Sequence, residues 1–128
     1  MLIQKRSPYV SSFPNRWDDS AAGHVDEGEG YFEAAVRELK EEVGIENVVL
    51  KEVGKHYSEI TEETPIRKRF NMVYEGQYDG STQCDPHEVS EVRWISMKDL
   101  QDWIQKQPSD FSQGIRHALD FYLKAKAT

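Results

Sequence analysis

Apolar residues recur with a helical period in the segment from Gly30 to Val43. They fall three or four positions apart, which places them on one face of a helix, at Phe32, Ala35, Val36, Leu39 and Val43. Gly44 follows directly, at the position where glycine commonly ends a helix. The pattern predicts a helix over Gly30–Val43 that packs one face against a core.

Shorter apolar stretches bounded by turn residues predict the strands of the chain. The alternation of apolar and polar residues is clearest in Ile66–Tyr78. The other predicted strands are Leu2–Arg6, Ser20–Val25, Asn47–Val53 and Glu91–Met97. Because strands and helices do not alternate regularly along the chain, the order predicts an α+β fold, with helices packed on a mixed sheet.

Two further helices are predicted toward the C-terminus. Met97–Gln105 has the pattern of a short helix. Ser109 is placed to cap the last helix, whose apolar stripe comprises Phe111, Ile115, Ala118, Leu119 and Tyr122. A stripe of this kind usually faces a core, so we assign it to core packing.

Length, charge and cysteine content narrow the function classes. A chain of 128 residues predicts one domain across residues 1–128. The net charge of −7 argues against nucleic acid as a partner, and no apolar run approaches the roughly 20 residues that cross a bilayer, so we expect no membrane partner. The single cysteine, Cys84, fits a reducing compartment, and we expect the cytoplasm.

Three glutamates crowd the end of the first predicted helix. Glu38, Glu41 and Glu42 stand at positions i, i+3 and i+4, so we expect them to project together, away from the packing side. Two like charges at ~4 Å repel by roughly 1–4 kcal/mol, and Arg37 relieves only part of that repulsion. The cluster is either a solvated acidic face or a set of oxygen ligands for magnesium, manganese or calcium.

The loop before this helix favours the second interpretation. Its sequence, "AAGHVDEGEG" at residues 21–30, is rich in glycine. Glycine lets a backbone approach a ligand closely and present its carbonyl and amide groups. A strand, a glycine loop and an acidic helix in succession predict a recess where a metal ion and an anion meet.

Residues Gly23–Ile45 resemble the signature of the Nudix hydrolase family. That signature is Gly, five residues, Glu, seven residues, and then Arg-Glu-aliphatic-any-Glu-Glu-any-Gly-aliphatic. The chain matches all nine constrained positions, with Gly23, Glu29, Arg37, Glu38, Leu39, Glu41, Glu42, Gly44 and Ile45. The flanking sequence between Leu2 and Leu100 is similar to the branch of the family that contains isopentenyl diphosphate isomerase.

The resemblance implies an α/β/α sandwich with a mixed sheet, and it implies a reaction class. Members of the family cleave a pyrophosphate bond in a nucleoside diphosphate linked to another group, with water as the nucleophile. Divalent ions neutralise the phosphates; the expected ion is Mg²⁺, with Mn²⁺ as the alternative. The implied partner is therefore a small nucleoside diphosphate derivative, and the signature itself does not select the group attached to it.

The resemblance also implies roles for individual residues. The implied metal ligands are Glu38, Glu41, Glu42 and the backbone carbonyl of Ala22. Arg37 would orient these glutamates, together with Glu29. The general base would be Glu38 or a glutamate on a later loop, for which Glu88 and Glu91 are the candidates.

Three basic residues are candidates for substrate binding. On a strand, Arg67 and Arg69 share one face and Lys68 lies on the other. The two arginines either contact substrate phosphates, to which arginine binds in a bidentate manner, or belong to a solvated sheet face. His24, one residue into the signature, either touches metal or substrate or serves the packing of its loop.

Two other functions compete with hydrolysis. An isomerase of the related branch needs a cysteine where this chain has Ala22, and glutamates about where it has Arg67–Phe70. Alanine cannot move a proton and the basic residues cannot act as acid or metal ligand, so we expect a hydrolase. A non-catalytic nucleotide-binding module of the family typically loses signature glutamates, whereas this chain keeps them all.

The beginning of the sequence departs from the family pattern. Family domains usually have a strand before the one that corresponds to Leu2–Arg6. Either the sequence is truncated or another segment replaces that strand. Because bare sheet edges invite pairing, we expect a second copy of the chain to cover this edge in a homodimer, and the alternative is a domain of lowered stability. A purely monomeric mass in dilute solution would count against that expectation.

Overall fold

A computed structural model describes residues 1–20 and 27–127 of the chain. Its strands are β1 (Leu2–Arg6), β2 (Trp17–Asp19), β3 (Lys51–Ile60), β4 (Arg67–Glu75) and β5 (Val89–Trp94). Its helices are α1 (Tyr31–Val43), α2 (Met97–Lys106) and α3 (Gln113–Lys126). The predicted order of elements is confirmed, although most of the predicted strand Ser20–Val25 lies outside the described residues.

Strand β1 lies in the middle of a three-stranded sheet of order β2-β1-β5. Its Gln4 is paired with Asp18 on β2 and with Val92 on β5, both in antiparallel register. The five described strands pair antiparallel, and a parallel bridge joins Trp17 to Phe111 just before α3.

Alternation along β1 sends neighbouring side chains to opposite sides of the sheet. Leu2 packs on the α1 side with Val43 and Ile45. Ile3 packs on the other side, in a cluster with Trp17, Leu100, Phe111, Ile115 and Leu119. The sheet therefore has α1 on one side and α2 with α3 on the other, which confirms the α+β class and the sandwich.

Strands β3 and β4 form a separate antiparallel hairpin, in which Tyr57 is paired with Phe70. Helix α3 packs against this hairpin. The Gln113 side-chain oxygen accepts hydrogen bonds from the backbone N–H groups of Thr61 and Glu62, at 2.8 and 3.0 Å. The hairpin and the central sheet are thus held together through the first turn of α3.

Helix α1 ends as the sequence predicts. Gly44 adopts a left-handed conformation with φ of 70°, and its N–H donates to the carbonyl of Lys40 at 3.1 Å. A Cβ atom at Gly44 would also stand 2.9 Å from the carbonyl oxygen of Gln83. Only glycine satisfies both the dihedral angle and this close approach.

Two predicted boundaries are wrong. The strand predicted from Asn47 begins at Lys51, because Asn47 has a positive φ of 59° and turns the chain after α1. Ser109 does not cap α3; it lies in a short 3₁₀ turn that follows Pro108. Ser112 caps the helix instead, since its Oγ accepts the N–H of Ile115 at 3.2 Å.

Within residues 1–20 and 27–127, no helix has both the length and the apolar character needed to cross a membrane.

Candidate functional site

The three glutamates of α1 do not share one environment. Glu38 and Glu42 are buried, with 7% and 8% of their surface exposed, whereas the Glu41 side chain is 59% exposed. The prediction that all three project away from the packing side is therefore wrong. The helical period places positions 38 and 42 in line with buried Ala34, so this part of the inner face carries carboxylates instead of apolar side chains.

Arg37 binds several carboxylates at once. Its guanidinium forms a bidentate pair with Glu29, at 2.7 and 3.0 Å. The same group lies 3.0 Å from a Glu41 oxygen and 3.5 Å from a Glu38 oxygen. A planar fork with five donors is suited to this arrangement. Arg37 thus fixes the loop before α1 and the outer carboxylate relative to the helix.

Gln4 connects the inner face of α1 to the central sheet. It is fully buried, and its side-chain nitrogen donates to Glu42 at 2.8 Å and to the carbonyl of Ser20 at 2.9 Å. Gln4 is not among the residues that the sequence pattern predicts for the site. The sequence signal for it is a polar residue at a position of β1 where an apolar one is expected. Buried polar groups nearly always form hydrogen bonds, so such a residue indicates a bonding partner.

Asp19 is a second residue that sequence reasoning missed. Its Oδ1 is buried and accepts no hydrogen bond from any described residue. Burial, followed by the charges of Asp18 and Glu42, raises the pKa of Asp19 well above its ordinary value. A carboxylate in this position favours either a proton or a cation nearby.

The donor chemistry of this region fits a hard divalent cation. Glu38 and Glu42 offer carboxylate oxygens, which Mg²⁺ and Mn²⁺ prefer. Asp19 pairs with Ile3 in the sheet and acts on Glu42 through its charge. No three acidic, histidine or cysteine side chains of residues 1–20 and 27–127 already stand in metal-binding geometry. The predicted carbonyl ligand at Ala22 and the candidate His24 lie outside the described residues.

The two later glutamates occupy different positions. Glu88 is exposed and directly precedes β5. Glu91 pairs with Lys5 in the β1–β5 register, so its side chain lies on the side of the sheet opposite that of Gln4. Its carboxylate stands 3.4 Å from Arg93. The structure does not bring Glu91 to the inner face of α1.

The two candidate arginines of β4 share a face, as predicted, and their surroundings differ. Arg67 pairs with Glu63 at 3.1 Å and donates to the Ser12 hydroxyl at 3.0 Å. Arg69 forms no ion pair or hydrogen bond with the described part of the chain, and its Nε is buried. Arg67 therefore has a structural role in joining the hairpin to the loop after β1, and Arg69 does not.

Comparisons with known proteins identify the kind of domain. A sequence model of the NUDIX domain matches residues 1–116. An uncharacterized Nudix hydrolase of Pseudomonas aeruginosa, PA4841, is 33% identical over 95 residues, covering 74% of this chain and 54% of the relative. The chain thus spans about half the length of that protein.

Two further matches extend over almost the whole chain. The isopentenyl-diphosphate Delta-isomerase of Paenarthrobacter aurescens is 29% identical over 129 residues, covering 99% of this chain and 70% of the isomerase. The crystal structure of DR0079 from Deinococcus radiodurans superimposes with a TM-score of 0.71 at 27% identity, covering 98% of this chain and 72% of that one.

Proposed function

The chain belongs to the Nudix family, and on that premise we propose that it is a metal-dependent hydrolase that cleaves the pyrophosphate bond of a nucleoside diphosphate linked to another group. The observation that carries the proposal is the burial of Glu38 and Glu42 on the inner face of α1. Two carboxylates buried at i and i+4 on one helix face are suited to bind a hard divalent cation, whose charge offsets theirs.

In this proposal the residues of α1 hold the metal ion. Glu38 and Glu42 would bind Mg²⁺, or Mn²⁺ in its place, with the carbonyl of Ala22 and the outer carboxylate of Glu41 as further ligands. The ion would neutralise phosphate charge and lower the pKa of a bound water. Arg37 is a positioning residue, because it reaches Glu29, Glu38 and Glu41 at the same time.

The proton acceptor is proposed to be Glu38 or Glu88. Glu38 lies on the buried face, and Glu88 is free to approach a ligand because it is exposed beside the loop before β5. Glu91 is the weaker candidate, since its side chain lies on the other side of the sheet. A positioned carboxylate base contributes about 10²–10⁴-fold to a rate.

Isomerisation is a second candidate, since a relative that covers nearly the whole chain bears the isomerase name. Two features of this chain oppose it. Ala22 stands where that branch requires cysteine, and the β4 segment that should carry glutamates carries Arg67, Lys68 and Arg69. The proton transfers of an isomerase therefore lack their donor and acceptor here.

The proposed function has consequences for the substrate, the cellular location and the oligomeric state. The substrate is a small molecule, and the site of action is the reducing cytoplasm, supported by the single cysteine Cys84. Strand β1 is paired on both sides, with β2 and β5, so the bare edge that motivated the predicted homodimer does not lie at β1. The homodimer stays a prediction, which sedimentation in dilute solution tests.

A panel of nucleoside diphosphate derivatives, incubated with the protein and Mg²⁺, tests the function. We expect release of a nucleoside monophosphate and a phosphorylated product from at least one class of compound, and no release when the ion is chelated. Double-bond isomerisation of an allylic diphosphate without phosphate-bond cleavage would favour the isomerase. Tight binding with no turnover would favour a non-catalytic module.

A further inference from the structure

Three nitrogen-bearing side chains meet between the β3–β4 hairpin and α3. They are His56 on β3, Arg69 on β4 and His117 on α3. The His56 ring stacks on Phe121 of α3, with ring centroids 4.8 Å apart. A terminal nitrogen of Arg69 lies 3.9 Å from where a Cβ of Gly114 would stand, in the first turn of the same helix. We call these three side chains the basic cluster.

Each member of the basic cluster has a buried nitrogen that the protein leaves without a partner. The atoms are Nε of Arg69, Nε2 of His56 and Nε2 of His117, and none bonds to any atom of the described residues. An unsatisfied buried polar group costs about 1–3 kcal/mol, and a buried charge costs more. Three such atoms in one place indicate a shared ligand more than three separate packing defects.

The polar neighbours of the basic cluster are already engaged. Asn71 donates to Ser58 on the facing strand at 2.8 Å. Asp18, near Gly114, accepts from Ser112 at 2.9 Å and lies 3.6 Å from Arg6. These groups bond to other residues, and within the described part of the chain none of them forms a hydrogen bond or an ion pair with Arg69.

The cluster is electropositive. Arginine keeps its charge at any ordinary pH. Burial lowers the pKa of His56 below its ordinary value of 6.5, and the nearby His117 and Arg69 lower it further. Neighbouring positive charge disfavours protonation of the His56 ring, and an anion placed among the three side chains relieves that effect.

We propose that His56, Arg69 and His117 form a binding site for a phosphate group. The guanidinium fork matches two phosphate oxygens, and a neutral imidazole in the Nε2–H tautomer still donates one hydrogen bond. The three donors come from β3, β4 and α3 and therefore approach from different directions. This arrangement suits the tetrahedral oxygens of a phosphate better than the two coplanar oxygens of a carboxylate.

This site is separate from the carboxylates of α1, and a series of neighbouring residues connects the two regions. Asp18 is paired with Gln4 in the sheet, and Gln4 bonds to Glu42. The Asp18 carboxylate is 4.0 Å from the same Gly114 position that Arg69 approaches. The phosphate belongs either to the group attached to the substrate, which rests on the proposed function, or to free inorganic phosphate.

Titration of the full chain with inorganic phosphate, without metal, tests the binding site directly. Histidine ring signals in NMR spectra are followed at constant ionic strength, with chloride as the reference anion. We expect saturable shifts at His56 and His117 and none at exposed His87. The absence of saturable shifts in the wild-type protein would overturn the proposal, independently of any enzymatic activity.

Variants on the two faces of β4 provide the matched control. Arg69→Gln should weaken phosphate binding at least about tenfold, and Arg69→Lys, which keeps the charge without the fork, should fall between. Lys68→Gln, which removes an exposed charge from the neighbouring position on the opposite face, should leave the affinity unchanged. Equal weakening by Arg69→Gln and Lys68→Gln would show a diffuse charge effect and overturn the site.

The source of the phosphate is decided by hydrolysis of paired substrates that differ only by one phosphate on the attached group. If the substrate supplies it, Arg69→Gln raises KM about tenfold for the phosphorylated member alone. If free phosphate is the ligand, the two members respond alike and added phosphate still shifts the histidine signals. Failure of all hydrolysis with intact NMR binding would reject the proposed function and keep this site.

Discussion

The acidic face of α1 and the basic cluster both bury charge, and they compensate for it in different ways. On α1, Glu42 has the Gln4 amide and Glu38 lies beside Arg37. In the basic cluster, Arg69 has no acceptor within the described chain. One region is held in place by protein contacts, and the other offers donors that only a ligand can use.

The two regions should respond differently to the loss of a residue. Removing a side chain from a network of buried hydrogen bonds and ion pairs leaves its former partners buried without those bonds, which destabilises the fold. Removing a buried donor that has no partner takes away a cost. The same class of substitution should therefore weaken one region and strengthen the other.

Replacing Glu42 with glutamine should have the largest effect. The amide retains the shape and the contact to Gln4 and loses the charge that would hold the cation. Loss of several kcal/mol of charge stabilisation corresponds to about 10²–10³-fold in turnover. Initial rates with Mg²⁺ on the best substrate of the panel measure it. Glu46→Gln, a change at an exposed ion pair with Lys40, serves as the control and should keep full activity.

Replacing Arg37 with methionine should have the next largest effect. Its contacts to three carboxylates would be lost, which removes a positive charge from beside Glu29 and Glu38. We expect a fall of about 10–100-fold in activity, as for other residues that orient metal ligands, together with a lower urea midpoint. Lys40→Met, which removes a more exposed cation of the same helix, is the control. A variant with wild-type activity and midpoint would remove Arg37 from the account.

Replacing Arg69 with methionine should stabilise the ligand-free protein. The substitution removes a buried guanidinium nitrogen that has no acceptor in the described chain, and the methionine fills the space with apolar atoms. We expect a gain of about 1 kcal/mol in the free energy of unfolding, measured by urea denaturation in buffer free of phosphate. A decrease of comparable size in the free energy of unfolding would mean that other residues of the protein pair with Arg69. The proposed difference between the two regions would then be wrong.

Acidification should have the smallest effect, acting through His56. Its pKa in the folded chain is below the ordinary 6.5, so the unfolded chain binds more protons. The contribution of His56 to stability is then fully present above pH 6.5 and is lost as the pH falls through the folded pKa.

The measurement compares urea midpoints at about pH 7.5 and about pH 5.5 for three proteins. The wild type should lose stability between the two conditions, and His56→Gln should lose less of it. His87→Gln, at an exposed position, should behave as the wild type. Identical pH dependence in the wild type and His56→Gln would show that burial and the neighbouring His117 and Arg69 do not lower the pKa of His56.

The sequence predicted what is local. The helix of α1, its end at Gly44 and the carboxylates on it are encoded within a short segment, where spacing alone relates the residues. Which carboxylates are buried was not predicted, because that depends on where α1 meets β1. The apolar residues next to Glu38 and Glu42 in the sequence predicted that a neighbouring face of the helix is buried. The packing of α1 against β1 determined which face is buried in the folded chain.

The rest required the fold. His56, Arg69 and His117 come from three elements far apart in the chain, and no spacing rule relates them. Ser112 replaces Ser109 as the cap because the chain first makes a 3₁₀ turn and a bridge to Trp17. Local sequence patterns predict neither the cluster nor the cap, since both depend on contacts with residues that are distant in the sequence.

Binding of Mn²⁺ measured by calorimetry is the most direct test of the claim that buried carboxylates of α1 hold a divalent cation. The account predicts saturable binding to the wild-type chain and at least about tenfold weaker binding to the Glu38→Gln, Glu42→Gln double variant, with both proteins folded by circular dichroism. Equal affinity in the two proteins would contradict it.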